Sequence, residues 1–180
     1  MAPAALPPDL SDGALAQWAL RAGQALLATH RRVVTAESCT GGWVAKCLTD
    51  IAGSSQWFER GYVTYSNLAK QQAFGVAAEV MDTFGAVSRP TADQMAAGAL
   101  HASGADIAVA VTGIAGPDGG SADKPVGLVW FALAQRGAAS VAEEHHFRGD
   151  REGIRRAAVA VALRLVIAAT LVPAAAPTRP

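Results

Sequence analysis

Two possible nucleophiles, Ser38 and Cys39, stand side by side in the stretch TAESCTGG, residues 35–42. Small polar residues and a glycine pair between a strand and a helix leave backbone N–H groups free to bind an anion or a developing oxyanion. This pattern makes Ser38 a candidate nucleophile, with the backbone around it as part of the substrate site. The alternative is that Ser38 or Thr40 only caps a helix that begins at Gly41.

Lys70 is the base that the sequence offers to a serine nucleophile. Arginine keeps its proton in proteins, whereas lysine can act as a base once burial or a neighbouring cation lowers its pKa. Lys70 lies five residues after Tyr65 on the helix that follows the strand ending in VTYS, so about a turn and a half separates them. A Ser–Tyr–Lys cluster can move a proton from serine to a leaving amine. The alternative is that Lys70 is one solvated charge on a helix face.

A third stretch, TGIAGPDGG at residues 112–120, follows the most apolar predicted strand. Its glycines permit backbone conformations in which several N–H groups approach a phosphate or a carboxylate. It has neither the P-loop order nor the G-x-G-x-x-G order of dinucleotide-binding proteins. The alternative is a simple surface loop, although its length is unusual for one.

Arginines crowd the start of the last predicted helix, in FRGDREGIRR at residues 147–156. The helix macrodipole favours acidic side chains at this end, so the arginines suggest an anionic ligand among them. The alternative is an exposed helix start that Asp150 caps.

Neither the histidines nor the aspartates indicate a metal site. The adjacent pair His145 and His146 lies on a predicted strand and therefore faces opposite sides of it. Asp118 and Asp123 do not have the spacing of an EF-hand loop. A Ser-His-Asp triad is not indicated either, because the histidines do not follow the candidate strand ends.

Strands that alternate with helices must position these segments. The pattern predicts helices at 11–29, 41–50, 67–75, 77–84, 91–104 and 150–171, with strands between them and a hairpin over LVWFALAQR and SVAEEHHF. Asn67 is the expected cap of the third helix and Gly75 its expected end. The order predicts an α/β fold, a three-layer α/β/α sandwich around a mixed sheet, with the strand ADIAVAVTG at its centre.

Bulk composition limits the classes of function. The chain has 180 residues, a formal net charge of zero and 51% hydrophobic residues, which suits one globular domain and gives no electrostatic footprint for nucleic acid or membrane. Two cysteines without CxxC spacing favour a reduced, cytoplasmic protein. We expect a flexible segment at 1–10 that is not a signal peptide, one domain at 11–172 and a flexible tail at 173–180.

Four motifs in one order resemble one known family. TAESCTGG, YSNLAK, TGIAGPDGG and GDR together resemble the CinA C-terminal domain family, whose members include nicotinamide mononucleotide amidohydrolases, over about residues 12–170. The resemblance implies hydrolysis of nicotinamide mononucleotide to nicotinic acid mononucleotide and ammonia, within pyridine nucleotide salvage. It also implies a serine nucleophile with lysine and tyrosine, no metal and no other cofactor. The chain resembles the stand-alone form of the family.

The resemblance assigns roles to particular residues. It implies a catalytic group of Ser38, Tyr65 and Lys70, with a small-molecule nucleotide as partner, no nucleic acid or membrane, and a homo-oligomer. Arg151 is the expected phosphate ligand. The expected substrate contacts are Thr40, Gly41, Gly42, Thr112, Gly113, Gly116, Arg151 and Arg155.

Two other functions stay open at this point. One is a cysteine hydrolase with Cys39 as a thiolate nucleophile, although a small cysteine here is more often packed in the interior. The other is a catalytically weak nucleotide-binding or regulatory domain linked to competence or DNA damage. Substitution of Ser38 and Cys39 in turn separates the first alternative from a serine amidase, and ligand binding without ammonia release would favour the second.

Overall fold

The helices follow from local side-chain caps and apolar periodicity. The structure, a computed structural model, describes residues 9–172. Residues 1–8 of the expected flexible segment 1–10 lie outside that range, and so does the whole expected tail 173–180. The helices are α1 (Asp12–Ala28), α2 (Trp43–Thr49), α3 (Asn67–Phe74), α4 (Ala78–Phe84), α5 (Arg89–Ser103) and α6 (Arg151–Leu171). No helix of this range is both long and apolar enough to cross a bilayer.

Helix caps agree with the sequence at some ends and differ at another. Ser11 accepts a hydrogen bond from the Ala14 amide at the start of α1. Gly75 ends α3 in a left-handed conformation, as expected. The expected cap Asn67 is wrong. Ser66 caps α3 instead, because its hydroxyl accepts from the Ala69 amide while Asn67 already has helical geometry.

Five strands form one mixed sheet in the order β2-β1-β3-β4-β5. They are β1 (Val33–Glu37), β2 (Phe58–Val63), β3 (Ile107–Gly113), β4 (Leu128–Gln135) and β5 (Val141–His146). β1 pairs in parallel with β2 and β3, whereas β4 is antiparallel to both β3 and β5. The apolar strand is central and the hairpin is present, which confirms both predictions.

Two apolar layers cover the sheet. One buried cluster joins α1, α2 and α6 to the face that carries Ile107, Val109 and Val111, and the other joins α3, α4 and α5 to the face that carries Ala108 and Ala110. Successive side chains of β3 point to opposite faces, so one strand supplies both cores. The α/β/α sandwich around a mixed sheet is confirmed.

Strand direction gathers the candidate segments at one edge. β1, β2, β3 and β5 run the same way, because β4 alone is reversed. Their carboxyl ends therefore deliver the turn after residue 37, the segment after 63, the loop after 113 and the start of α6 to the same side of the sheet.

Candidate active site

Ser38 and Lys70 are in direct contact at this edge. Lys70 Nζ donates to Ser38 Oγ at 3.0 Å and to the Thr64 carbonyl at 2.9 Å. The parallel pairing of β1 and β2 sets this contact, since the Thr64 amide also bonds the Glu37 carbonyl at 2.8 Å just beyond the strand ends. Ser38 thus directly follows β1, and Lys70 lies on α3, the first helix after the neighbouring strand β2.

Burial makes Lys70 an unusual lysine. Its side chain is 1% exposed, and burial lowers its pKa from the ordinary value of 10.5. A lowered pKa increases the neutral fraction, in which the amine can accept the Ser38 proton. The alternative of a solvated charge on a helix face is therefore wrong.

Cys39 differs sharply from its neighbour. It is 6% exposed among apolar side chains, and burial raises the pKa of its thiol to about 12. The thiol thus keeps its proton near neutral pH, whereas a cysteine nucleophile needs the thiolate. This environment disfavours a cysteine hydrolase and agrees with the expected packing role.

Tyr65 lies beside the pair with its ring largely in solvent. It is 61% exposed, and its hydroxyl accepts a hydrogen bond from Arg151 Nη2 at 3.0 Å. Arg151 Nη1 also donates to the Gly116 carbonyl at 2.8 Å, which links the start of α6 to the glycine loop. The serine and lysine therefore touch each other directly, and the tyrosine touches the arginine.

One cleft of about 270 Å³ joins these groups. It is lined by Ser38, Tyr65, Lys70 and Arg151 together with Thr112, Gly113 and Gly116 from β3 and its loop. Thr112 is 1% exposed and its hydroxyl donates to the Ala86 carbonyl at 2.8 Å. Seven of the predicted site residues thus share one cavity.

The other four predicted contacts, Thr40, Gly41, Gly42 and Arg155, do not line this cavity. Gly41 and Gly42 have positive φ angles of 63° and 91° and line a different cleft, with Trp43 and Arg155. Their amides are occupied, because Gly41 donates to the Ser38 carbonyl and Gly42 to the Glu37 carboxylate. Thr40 is fully buried, and its Oγ1 has no hydrogen-bond partner among residues 9–172.

Glu37 organises this turn, although it is not among the site residues predicted from the sequence. Its fully buried carboxylate accepts from the amides of Gly42, Val44 and Ala45 at 3.0, 3.1 and 2.8 Å, and from the Thr35 hydroxyl. A carboxylate suits the positive end of a helix. The sequence pattern that could have identified Glu37 is an acidic residue at the end of a buried strand and shortly before the glycine pair Gly41 and Gly42.

Arg155 also acts on the turn. Its Nε donates to the Cys39 carbonyl at 3.1 Å and its Nη2 to the Thr40 carbonyl at 2.7 Å. The guanidinium lies over the Trp43 ring, 5.1 Å from the centroid. Within residues 9–172, no group of three or more His, Cys, Asp or Glu side chains is arranged to hold a metal ion.

Sequence comparisons point to one family. The model of the CinA C-terminal domain matches residues 15–170. The nicotinamide-nucleotide amidohydrolase PncC of Escherichia coli (strain K12) is 56% identical over 155 residues, which cover 86% of this chain and 94% of that protein. The protein of the same name from Pseudomonas putida is 50% identical over 145 residues, 81% of this chain and 90% of that protein.

Solved structures show the same fold. The competence/damage inducible protein CihA from Agrobacterium tumefaciens is 49% identical, with a TM-score of 0.84 over 91% of this chain and 98% of that one. A competence or damage-inducible protein from Enterobacter asburiae is 33% identical, with a TM-score of 0.83 over 87% and 98% of the two chains.

Proposed function

Because the chain belongs to the CinA C-terminal domain family, we infer that it is an enzyme, a nicotinamide-nucleotide amidohydrolase. It hydrolyses the carboxamide of nicotinamide mononucleotide, so that this nucleotide and water give nicotinic acid mononucleotide and ammonia. The observation that supports this reaction best is the buried Lys70 amine 3.0 Å from the Ser38 hydroxyl in an open cleft.

Ser38 is the proposed nucleophile and Lys70 its base. In the reactive state the amine of Lys70 is neutral and accepts the proton of the Ser38 hydroxyl as Oγ attacks the carboxamide carbon. The same proton then passes to the departing nitrogen, and ammonia leaves an acyl-serine. Water, deprotonated by Lys70, hydrolyses the ester and restores Ser38. Because Lys70 already contacts Ser38, the proton moves beside Tyr65 and not through it.

The rest of the cleft is proposed to bind the nucleotide. Thr112, Gly113 and Gly116 would line the space over Ser38, and Arg151 would hold the phosphate at the exposed end. Tyr65 would keep Arg151 in place through the 3.0 Å hydrogen bond. On this proposal nicotinamide and its riboside are poorer substrates than the mononucleotide, because they lack the anion.

The environment of the enzyme is also part of the proposal. We place it in the cytoplasm, because Cys39 and Cys47 are both free and buried. We expect a homo-oligomer that uses the exposed leucines of α1, Leu20 and Leu27.

Ammonia release from nicotinamide mononucleotide tests the function. The wild-type protein, Ser38→Ala and Cys39→Ala are compared without added metal, and again with a chelator. We expect release by the wild type and Cys39→Ala under both conditions and a loss of about 10³-fold or more in Ser38→Ala.

Three outcomes would contradict parts of this proposal. A folded wild type that binds the nucleotide without releasing ammonia would favour the nucleotide-binding module. Loss of activity in Cys39→Ala alone would make the cysteine the nucleophile. Loss of wild-type activity with chelator would mean that a metal takes part.

A further inference from the structure

Arg155 connects α6 to two consecutive peptide bonds beside the nucleophile. The two carbonyls that it binds are those of Cys39 and Thr40, which lie 116 and 115 residues away in the sequence. The guanidinium also makes a cation–π contact with the Trp43 ring, 5.1 Å from its centroid. Arginine suits this position because its planar fork offers two parallel donors in a fixed geometry.

Both contacts are made to the turn that directly follows the nucleophile, Ser38. The Ser38 amide donates to the Val111 carbonyl. The amides of Gly41 and Trp43 donate to carbonyls within the turn, and those of Gly42, Val44 and Ala45 donate to the Glu37 carboxylate. The amides of Cys39 and Thr40, in contrast, donate to no backbone carbonyl of residues 9–172. Of these two residues, Cys39 lines the Ser38 cleft and Thr40 does not.

Because each peptide group is planar, holding its carbonyl also fixes the direction of its N–H. In a trans peptide the carbonyl and the amide point to opposite sides. The Gly41 amide holds the Ser38 carbonyl at 3.0 Å, and this orients the plane that carries the Cys39 N–H. Arg155 holds the carbonyl of the next plane, so Cys39 is fixed on both sides. A preorganised N–H beside a serine nucleophile is the usual donor to an oxyanion.

We propose that Arg155 is a positioning residue of the amidase reaction: it fixes the peptides around Cys39, so that the Cys39 amide stabilises the oxyanion formed on Ser38. This inference rests on the proposed function. The inference also gives different roles to two arginines of α6, Arg151 and Arg155. Arg151 lines the Ser38 cleft and shares one neighbouring cleft with Arg155, whereas Arg155 does not line the Ser38 cleft and already donates to two carbonyls of the turn.

Steady-state kinetics of Arg155→Gln give the first test, with Arg156→Gln as the matched control. Arg156 lies on the same helix and over the same Trp43 ring, 5.0 Å from its centroid, but it pairs with Asp12 and Glu152. We expect kcat of Arg155→Gln to fall about 10- to 100-fold, with KM for nicotinamide mononucleotide within about twofold. The control should keep both constants within about twofold of the wild type.

Binding without turnover gives the second test. Calorimetry with nicotinamide mononucleotide in the Ser38→Ala background should give the same Kd with and without Arg155→Gln, whereas adding Arg151→Gln should weaken binding about tenfold or more. A tenfold weaker Kd for Arg155→Gln with kcat retained would make Arg155 a phosphate ligand and overturn the proposal. Unchanged kcat in the folded variant would overturn it as well.

A folding defect would not leave the question open. If Arg155→Gln melts far below the Arg156→Gln control, Arg155→Lys takes its place, because one ammonium cannot reproduce the two-carbonyl fork but keeps the charge. Arg155→Lys should also lose kcat and not affinity, and full activity in it would overturn the proposal. Failure of the proposed function is distinguishable, since the wild type itself would then release no ammonia.

Discussion

At the residue scale, the burial of Lys70 sets the pH dependence of the reaction. The amine must be neutral to accept the Ser38 proton, and burial lowers its pKa below 10.5. We therefore expect kcat/KM to rise with pH along a limb whose midpoint lies below 10.5. Lys70→Arg should lose about 10²- to 10⁴-fold in kcat at every pH, because a guanidinium keeps its proton.

A pH–rate profile from about pH 5 to about pH 10 checks this expectation. Lys46→Arg is a suitable control, because Lys46 is exposed and paired with Asp50 away from the cleft. A wild-type profile without a rising limb, or an active Lys70→Arg, would show that Lys70 is not the base.

At the element scale, the start of α2 depends on one buried carboxylate. Glu37 accepts hydrogen bonds from three backbone amides and from the Thr35 hydroxyl. Glu37→Gln turns an NH₂ group towards these donors and should lower the free energy of unfolding by about 2–4 kcal/mol. Urea denaturation checks this value. Glu59→Gln, which loses only surface pairs with Arg32 and Arg60, should cost less than about 1 kcal/mol.

A second expectation at this scale concerns the contact of α5 with α3. A Cβ atom at Gly98 would lie 2.0 Å from the Phe74 carbonyl oxygen, so one helix must move. Gly98→Ala should lower the free energy of unfolding by about 1–3 kcal/mol and reduce kcat, because α3 carries Lys70.

Gly13→Ala in α1 provides the comparison for Gly98→Ala. The nearest atom to its Cβ is Ser11 Oγ at 3.9 Å, and alanine should be neutral or stabilising by up to about 1 kcal/mol. Equal stabilities of the two variants by denaturation would refute the steric argument.

At the scale of the whole molecule, the exposed leucines of α1 bear on assembly. Leu20 and Leu27 are 45% and 42% exposed and lie seven residues apart, which places them on one helix face. If this face joins two copies, Leu20→Glu with Leu27→Glu should give a monomer with unchanged secondary structure.

Sedimentation measures this change directly. Leu171→Glu is the control, because Leu171 is 79% exposed at the far end of α6. A monomeric wild type, or an oligomer that survives both α1 substitutions, would reject the α1 interface.

The sequence by itself determined the elements and the segments that matter. Apolar periodicity, serine and glycine at helix ends, and the apolar run of β3 act over a few neighbouring residues, so they can be recognised without coordinates. The same local patterns identified the turn at Ser38, the glycine loop and the arginines of α6. Asn67 was misassigned as a cap because adjacent polar residues can each cap a helix, and only the backbone geometry selects Ser66.

Only the tertiary structure decided which side chains meet. The contact between Lys70 and Ser38 spans 32 residues and requires β2 to pair with β1 in the observed register. The contacts of Arg155 span more than 100 residues and depend on α6 packing beside α2. Burial, which lowers the pKa of Lys70 and raises that of Cys39, is likewise a property of the packed layers. Spacing along the sequence does not predict these contacts or this burial, because strand order and layer packing bring together residues that are distant along the chain.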